Sequence, residues 1–591
     1  VTHPIVIHDP KAGHWLTFKN PVRIVSASSL AEILPALREI ETEVNQNGLF
    51  AAGFLSYEAA PAFDSALQVR PDDSGFPLLW FGLYHTPQPT LASIASVAEA
   101  MEARALATEA GSWLPTITRE AYETTVARLR QYLFTGDTYQ VNYTFRLRGP
   151  CPASPEALFR NLVQAQGPNY SAFVDTGDFV LCSASPELFF RLEGDRLESR
   201  PMKGTEKRGL TPEDDRNQAK RLQNSEKNRA ENIMIVDMIR NDMGRIAIPG
   251  SVVPERLFEI ERYPTVWQMV STVTSQTRAP LSDIFSALFP CASITGAPKP
   301  RTMDIIAREE TTPRRIYTGS IGYLAPGRRA QFNIAIRTVL VDRQAKTAEY
   351  GVGGGIVWDS ETGNEYEECW LKAKVLTEPP PAFELLETLL WTSDGGIFIL
   401  ERHLNRLAES AEYFDIPLSL PSLRSLLNVE CSLFNVQFPR RIRLRVAQDG
   451  TIRIESIRLD PVERSTPVRV RLASKPIDPS DRFLYHKTTH RTVYEQAKAG
   501  VEDCDDVLLW NPAGELTEST IANIVVERDG EFLTPPVRCG LLPGTTRMEL
   551  LDQGIIREAI LPVSELSPGD KIHLINSVRK WREAILIPTV P

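Results

Sequence analysis

SEKNRAENIMIVDMIRNDM, residues 225–243, is the stretch from which the rest of the chain is read. Ile235, Met238 and Ile239 recur at helical spacing, and Val236 and Met243 extend the stripe, so an amphipathic helix is predicted. Ser225 supplies a natural N-cap and Gly244 a natural stop. Glu231 lies four residues before Ile235, so its carboxylate borders the apolar face. Downstream, a second helix is predicted from about Asn364 to Val375, with Glu365 and Glu368 three apart on one face. Strand-like runs such as FNIAI lie between the two helices, so the class is α/β (α+β).

The chain has 591 residues, too many for one core, so two or more domains are expected. The break falls at TEPPPAFE, where Pro379, Pro380 and Pro381 cannot continue a helix ending near Leu376. The expected division is a front domain over 1–377, a proline-rich linker over 378–382 and a rear domain over 383–591. In the front domain, an N-terminal subdomain spans about 1–100. The Ala/Glu-rich stretch Ser96–Ala110 reads as a surface helix or connector to a region spanning about 113–377.

The formal net charge is −10, with no dense Lys/Arg run, which argues against a nucleic-acid partner. The seven cysteines form no CxxC pair, against a disulfide framework or structural zinc. The opening VTHPIVIHDPKAGHW lacks a signal-peptide pattern, and no apolar run reaches membrane-spanning length. A soluble cytoplasmic protein is the expectation.

Several front segments set polar residues beside Gly and Pro in apolar surroundings: SASPELFF (183–190), RPMKGT (200–205), FPCASITGAPKPRTMDII (289–306), YTGSIGYL (317–324), IAIRT (334–338) and GVGGGIVWDS (351–360). Glycines let a backbone approach a ligand and offer bare N–H groups to an anion. Arg337 follows FNIAI, where its fork can hold a carboxylate. Glu231 and Glu368 are hard oxygen donors that suit Mg²⁺. Singly, each has an ordinary reading: Glu231 a surface carboxylate, Gly353–Gly355 a turn, Lys203 a loop lysine. Their order along the chain makes them specific.

In that order the segments resemble the chorismate-utilising enzymes, which include anthranilate synthase component I and aminodeoxychorismate synthase component I. The resemblance covers roughly Trp113–Thr377, and GFLSYEAAPAFD (53–64) is similar to that family's N-terminal subdomain. It implies two packed β-sheets with a Mg²⁺–chorismate site between them. Glu231 and Glu368 match the metal ligands. Arg337, Tyr317 and Gly355 match positions that hold the substrate's carboxylates, and Gly204, Thr205, Thr295 and Lys299 are further substrate-binding positions. PMKGT places Lys203 where anthranilate synthases carry alanine; by this resemblance Lys203 is a nucleophile and Glu187 the general acid/base. Gln268, in YPTVWQMVS, stands where many relatives have the histidine tied to pyruvate elimination. That departure is compatible with a domain that stops at an aminated intermediate. No cysteine sits in a tight Gly-flanked nucleophile turn, so ammonia is expected from a glutamine amidotransferase in trans, with free ammonia a poorer substitute.

The rear domain holds FILERHLNRLAESAEYF (398–414), FLYHKTTHRTVYE (483–495), DVLLWNPAGELTESTIANIVV (506–526), GLLPGTTRMELL (540–551) and HLINSVRKWREA (573–584). Lys487 lies between a strand-like FLYH and a helical run. Glu518 lies in a polar break after LLWNPAGE. Gly544, Thr545 and Thr546 precede a helix RMELL whose N-terminus can cup a phosphate, and Arg406 adds charge. The set resembles the fold-type IV pyridoxal-phosphate enzymes, which comprise branched-chain and D-amino-acid aminotransferases and aminodeoxychorismate lyase, from about Phe383 to Ile587. That implies two α/β lobes, pairing into a homodimer, and pyridoxal 5′-phosphate bound by Lys487, Glu518, Arg406, Thr545, Thr546 and Ser577. Arg443, Arg445 and Arg579 are candidates for substrate carboxylates.

The two resemblances together imply 4-aminobenzoate synthesis for folate: amination of chorismate in front, pyruvate elimination behind. The alternative joins an anthranilate synthase-like front to an unrelated aminotransferase, which Lys203 speaks against. A non-catalytic scaffold does not account for Glu187, Lys203, Glu231, Glu368 and Lys487 together.

Overall fold

The computed structural model describes residues 4–91, 113–378, 381–434, 436–460, 466–499, 501, 503–567 and 570–587. The predicted connector at Ser96–Ala110, and Pro379 and Pro380 of the linker, lie outside them. The chain divides into two compact units, residues 1–208 with 218–380 and residues 209–217 with 381–591.

The first unit is built on two antiparallel sheets of ten strands each. One runs from the edge pair Gly296–Ala297 through Gln140–Pro150, Thr347–Ile356, Thr338–Asp342, Phe179–Ser183 and Ala172–Asp175 to Ile5–Asp9 and beyond. The other runs from Met202–Lys207 through Val266–Gln276, Arg196–Arg200, Leu188–Glu193, Arg329–Ile334 and Ser320–Ala325 to Phe50–Leu55 and beyond. Both faces of each sheet are covered, so successive strand residues enter different cores. Ile5 and Ile7 join Phe54, Trp80 and Ile321 between the sheets, whereas Val6 packs outward. The outer face of the first sheet is covered by helices Arg119–Phe134, Pro155–Gln166, Lys299–Glu309 and Thr362–Thr377. The outer face of the second is covered by Leu30–Asn47, Glu226–Gly244 and Leu281–Leu288.

The helix read from SEKNRAENIMIVDMIRNDM is Glu226–Gly244, and the Ser225 hydroxyl accepts from Asn228 N at 3.3 Å. Ile235, Val236, Ile239 and Met243 are buried; Met238 packs only partly. Gly244 is the last helical residue rather than a left-handed cap, because Arg245 stays right-handed and its N–H closes on Asp242 and Met243. The second predicted helix runs Thr362–Thr377, two residues longer at each end. FNIAI is strand only as far as Ile334, and Arg337, at φ 53°, lies in the turn before strand Thr338–Asp342.

The second unit holds a four-stranded sheet and an eight-stranded sheet, consistent with the expected lobes. Leu385–Thr392, Arg440–Val446 and Ile452–Arg458 pack on helices Leu400–Phe414 and Leu420–Ser432. In the larger sheet, Val468–Leu472 pairs in parallel with Asp506–Trp510 and Lys580–Leu586. Three local expectations change here. FLYH is no strand: Arg482–Leu484 is a 3₁₀ turn, because the Asp481 carboxylate caps Phe483 N at 2.9 Å. Glu518 is not in a break but on strand Leu516–Ser519, which the NPAG turn folds back on Asp506–Trp510. The helix after Gly544 begins at Thr545, so both threonines lie in its first turn.

Candidate active site

In the first unit, an edge strand of the second sheet and an interior strand of the first bring their special residues together. Lys203 extends from Met202–Lys207 of the second sheet, and its Nζ lies 3.4 Å from Glu231 Oε2 on helix Glu226–Gly244. Gly355 belongs to strand Thr347–Ile356 of the first sheet, not to a turn. A Cβ there would sit 2.8 Å from Lys203 Nζ and 3.1 Å from Gln140 Nε2. Glycine is what leaves room for the amine.

Glu187 follows strand Phe179–Ser183 and is only 3 % exposed. Its Oε1 accepts from Ser293 Oγ at 2.8 Å and from Met202 N at 3.5 Å. Burial pushes its carboxyl up to about 7, against the opposing pull of Ser293, Met202 N–H and the Lys203 charge. A carboxyl at that level is half acid near neutrality, as proton donation requires.

Across the cleft, Glu368 on helix Thr362–Thr377 pairs with Lys372 at 2.7 Å, and Lys372 also donates to Gly353 O. The Lys372 charge holds the Glu368 carboxyl below its ordinary range. Glu365, one turn earlier, is raised by burial and by the Glu368 charge. Among the described residues no three His, Cys, Asp or Glu side chains form a metal-holding group. Glu231, Glu365 and Glu368 are nonetheless all-oxygen donors, and Glu365 and Glu368 repel one another. Carboxylate oxygens are the donor type that magnesium takes.

The Tyr317 ring lies under the Arg146 guanidinium at 4.8 Å, and a Cβ on Gly351 would collide with it at 2.1 Å. Arg337 donates to Lys372 O, on the helix of Glu368. Gly204 adopts φ 103°, and the Thr205 hydroxyl donates to Gln268 Oε1 at 3.0 Å. Thr295 and Lys299 are turned to other partners. Thr295 turns its hydroxyl back on Cys291 O at 3.0 Å. The Lys299 ammonium pairs with Asp242 at 2.8 Å and lines a separate cavity. Sequence reasoning missed Gln140, whose amide is buried with neither polar atom partnered. Nothing in its strand marked it; only the opposite strand, with Gly355, shows where it points.

The second unit has a cavity of about 370 Å³ lined by Lys487, Glu518, Arg406, Thr545, Thr546, Ser577, Arg443 and Arg579. Lys487 is held by its carbonyl, which accepts from Leu386 N at 2.9 Å. Burial and repulsion from Arg406 and Arg491 pull its amine down to about 8, against Glu387 and Glu518. Glu518 accepts from Tyr494 OH at 2.7 Å and from Asn523 Nδ2 at 3.2 Å. Burial pushes its carboxyl up to about 7. Arg406 is oriented by both oxygens of Glu387, at 2.9 and 2.7 Å, and His403 completes that carboxylate's shell at 2.7 Å. Burial works to raise Glu387, but Arg406 and His403 outweigh it and hold the carboxyl at about 2.

The cavity fits pyridoxal phosphate. Gly544 caps helix Thr545–Asp552, and the buried Thr546 hydroxyl has no partner, as expected of a donor waiting for phosphate oxygen. Arg406 stands at that end, with Lys487 and Glu518 on the same wall system. Arg445 is not part of the lining: its guanidinium pairs with Glu384 and Glu455. Arg441 and Arg491 line the cavity and were not singled out from the sequence. Strand alternation puts Arg441 and Arg443 on one face, and only the packing shows where that face ends.

Residues 2–378 match the profile of the chorismate binding enzymes, and residues 384–587 that of the class IV amino-transferases. The chain is 40 % identical over 270 residues to aminodeoxychorismate synthase component 1 of Salmonella typhimurium, covering 45 % of this chain and 59 % of that one. It is 42 % identical over 261 residues to an anthranilate synthase component 1 of Haloarcula marismortui, covering 44 % and 53 %. The chain thus spans little more than half the length of either relative. The crystal structure of anthranilate synthase component I from Streptococcus pneumoniae superposes with a TM-score of 0.54 at 27 % identity, covering 64 % of this chain and 92 % of that one. Among the described residues no helix is long and apolar enough to cross a membrane.

Proposed function

The chain belongs to the chorismate binding enzyme family, and from that premise we propose that it converts chorismate to 4-aminobenzoate in two steps, one in each unit. Overall identity does not separate aminating from anthranilate-forming relatives, since both kinds match equally well. The observation that carries the reading is Lys203: an amine beside Glu231, facing Gly355, with a half-protonated Glu187 near it.

In the first step the Lys203 nitrogen bonds to ring C2 as both ring double bonds shift by one position and the C4–O bond breaks. The hydroxyl leaves as water on a proton from Glu187. Ammonia then bonds to C4 as the Lys203–C2 bond breaks, which restores the amine and gives 4-amino-4-deoxychorismate. Arg337 and Tyr317 orient the substrate's carboxylates, and Gln140 offers an unspent amide to the ring substituents. Magnesium, held by Glu231 and Glu368 with Glu365 beside them, would neutralise carboxylate charge. Ammonia comes from a glutamine amidotransferase in trans.

In the second step pyridoxal phosphate supplies an aldehyde for the 4-amino group and a ring that takes up electrons. Arg406, Thr546, Ser577 and the N–H groups of Thr545 and Thr546 would hold its phosphate, and Glu518 would hold the proton of its pyridine nitrogen. Lys487 would hold the cofactor through its amine, which burial pulls down to about 8 and which is thereby suited to moving the proton from ring C4. Arg443 and Arg579 receive carboxylates. Loss of pyruvate makes the ring aromatic, and the product is a precursor of folate.

The test is incubation with chorismate, ammonia and Mg²⁺, with and without pyridoxal phosphate. Aminodeoxychorismate should accumulate without it and 4-aminobenzoate appear with it. Anthranilate as the product would overturn the reading.

A further inference from the structure

The ladder between Met202–Lys207 and Val266–Gln276 slips at the residue that matters most. Met202 stands opposite Val270 and Thr205 opposite Gln268, so Lys203 and Gly204 together face Met269. Such a bulge takes carbonyls out of the regular ladder and re-aims a side chain. A freed carbonyl must find another donor. Here both do, and both donors are side-chain amides. Asn232 Nδ2 donates to Lys203 O at 3.1 Å, and Gln268 Nε2 donates to Gly204 O at 2.8 Å.

Neither amide is free to turn. Ser271 Oγ donates to Asn232 Oδ1 at 2.5 Å, and Thr205 Oγ1 donates to Gln268 Oε1 at 3.0 Å, which leaves each –NH₂ facing the bulge. Asn232 is fully buried within helix Glu226–Gly244, a place where asparagine is disfavoured unless its amide is satisfied. It directly follows Glu231. One helix turn therefore carries both the carboxylate that meets the Lys203 amine and the amide that grips the Lys203 backbone. Gly204 completes the arrangement: its φ is 103°, and a Cβ would come within 3.1 Å of Asn228 Cβ on the same helix.

We propose that Asn232 and Gln268 are positioning residues that clamp the bulge from its two sides and so fix the aim of the Lys203 amine. This rests on Lys203 being the nucleophile of the amination step. Neither residue needs to touch substrate, so the clamp acts on the rate of bond formation and not on chorismate binding.

The test uses the whole chain with Asn232→Ala and, separately, Gln268→Glu, which keeps the acceptor for Thr205 but sets a carboxylate oxygen against Gly204 O. With saturating ammonia, kcat for amination should fall by roughly ten- to a hundredfold, the scale of a misplacement of about an ångström. KM for chorismate should stay within about twofold. Labelling of Lys203 by an amine-directed reagent, read by peptide mass spectrometry, should change rate in both variants, while Lys372 labels as before. Unchanged kcat with unchanged Lys203 labelling overturns the clamp, as does a loss confined to KM. Should Asn232→Ala not fold, Gln268→Glu, at a half-buried position, decides alone. Full turnover in Lys203→Met would instead remove the nucleophile reading itself, so the two failures are told apart.

Discussion

The pH dependence of the amination step follows from one buried carboxyl. Glu187 must donate a proton, and burial raises it to about 7, with the Ser293 hydrogen bond the largest opposing effect. A carboxyl left at its ordinary value of about 4.3 would be protonated at roughly 0.2 % at neutrality; at about 7 it is half protonated. The environment thus supplies a gain of order 250-fold in the active form. The sign is fixed: the acid is present below the raised pKa, so its contribution to kcat is lost about tenfold per pH unit above 7. Ser293→Ala removes a donor at 2.8 Å that favours the ionised form. The descending limb should then move to higher pH by up to about one unit, the worth of a hydrogen bond to a charged group. The assay is aminodeoxychorismate formation across pH 6–9 with free ammonia held constant. A limb that stays put in Ser293→Ala, or persists in Glu187→Gln, refutes Glu187 as the proton donor.

Gly355→Ala should leave thermal stability nearly unchanged, because the new Cβ meets the end of a flexible side chain, yet amination should fall sharply as Lys203 Nζ is displaced; rate and melting measured together check it. Thr546→Ala and Arg406→Lys should each weaken pyridoxal-phosphate retention by about tenfold, the second because lysine cannot bridge both oxygens of Glu387; cofactor titration of the stripped protein reads this directly. Lys487→Ala should abolish the visible absorbance of bound cofactor and the second step, while aminodeoxychorismate still accumulates.

Much of the fold was legible because helix signals here are local. Ser225 caps where its side-chain chemistry requires, and the apolar stripe of Ile235 and Ile239 faces the core. Lys203 lies beside Glu231 and faces Gly355, but the arrangement that aims it was invisible in the sequence. A bulge is a relation between two strands, and Gln268 shows its role only once Thr205 stands opposite it. Gln140 was missed for the same reason: an orphaned amide is defined by what fails to surround it. Lys299 and Arg445 look like anion binders in sequence, but Asp242 occupies the first and Glu384 and Glu455 the second, and only the folded packing of helix and strand shows those partners. FLYH has strand-forming residues, but the Asp481 cap beside it wins locally.

The most direct measurement is the amination rate of Lys203→Met, with product identified by chromatography and the second step assayed separately on supplied aminodeoxychorismate. Amination should collapse while 4-aminobenzoate still forms from the supplied intermediate. Amination proceeding at the unaltered rate would contradict it, since the Lys203 amine would then form no bond to the ring.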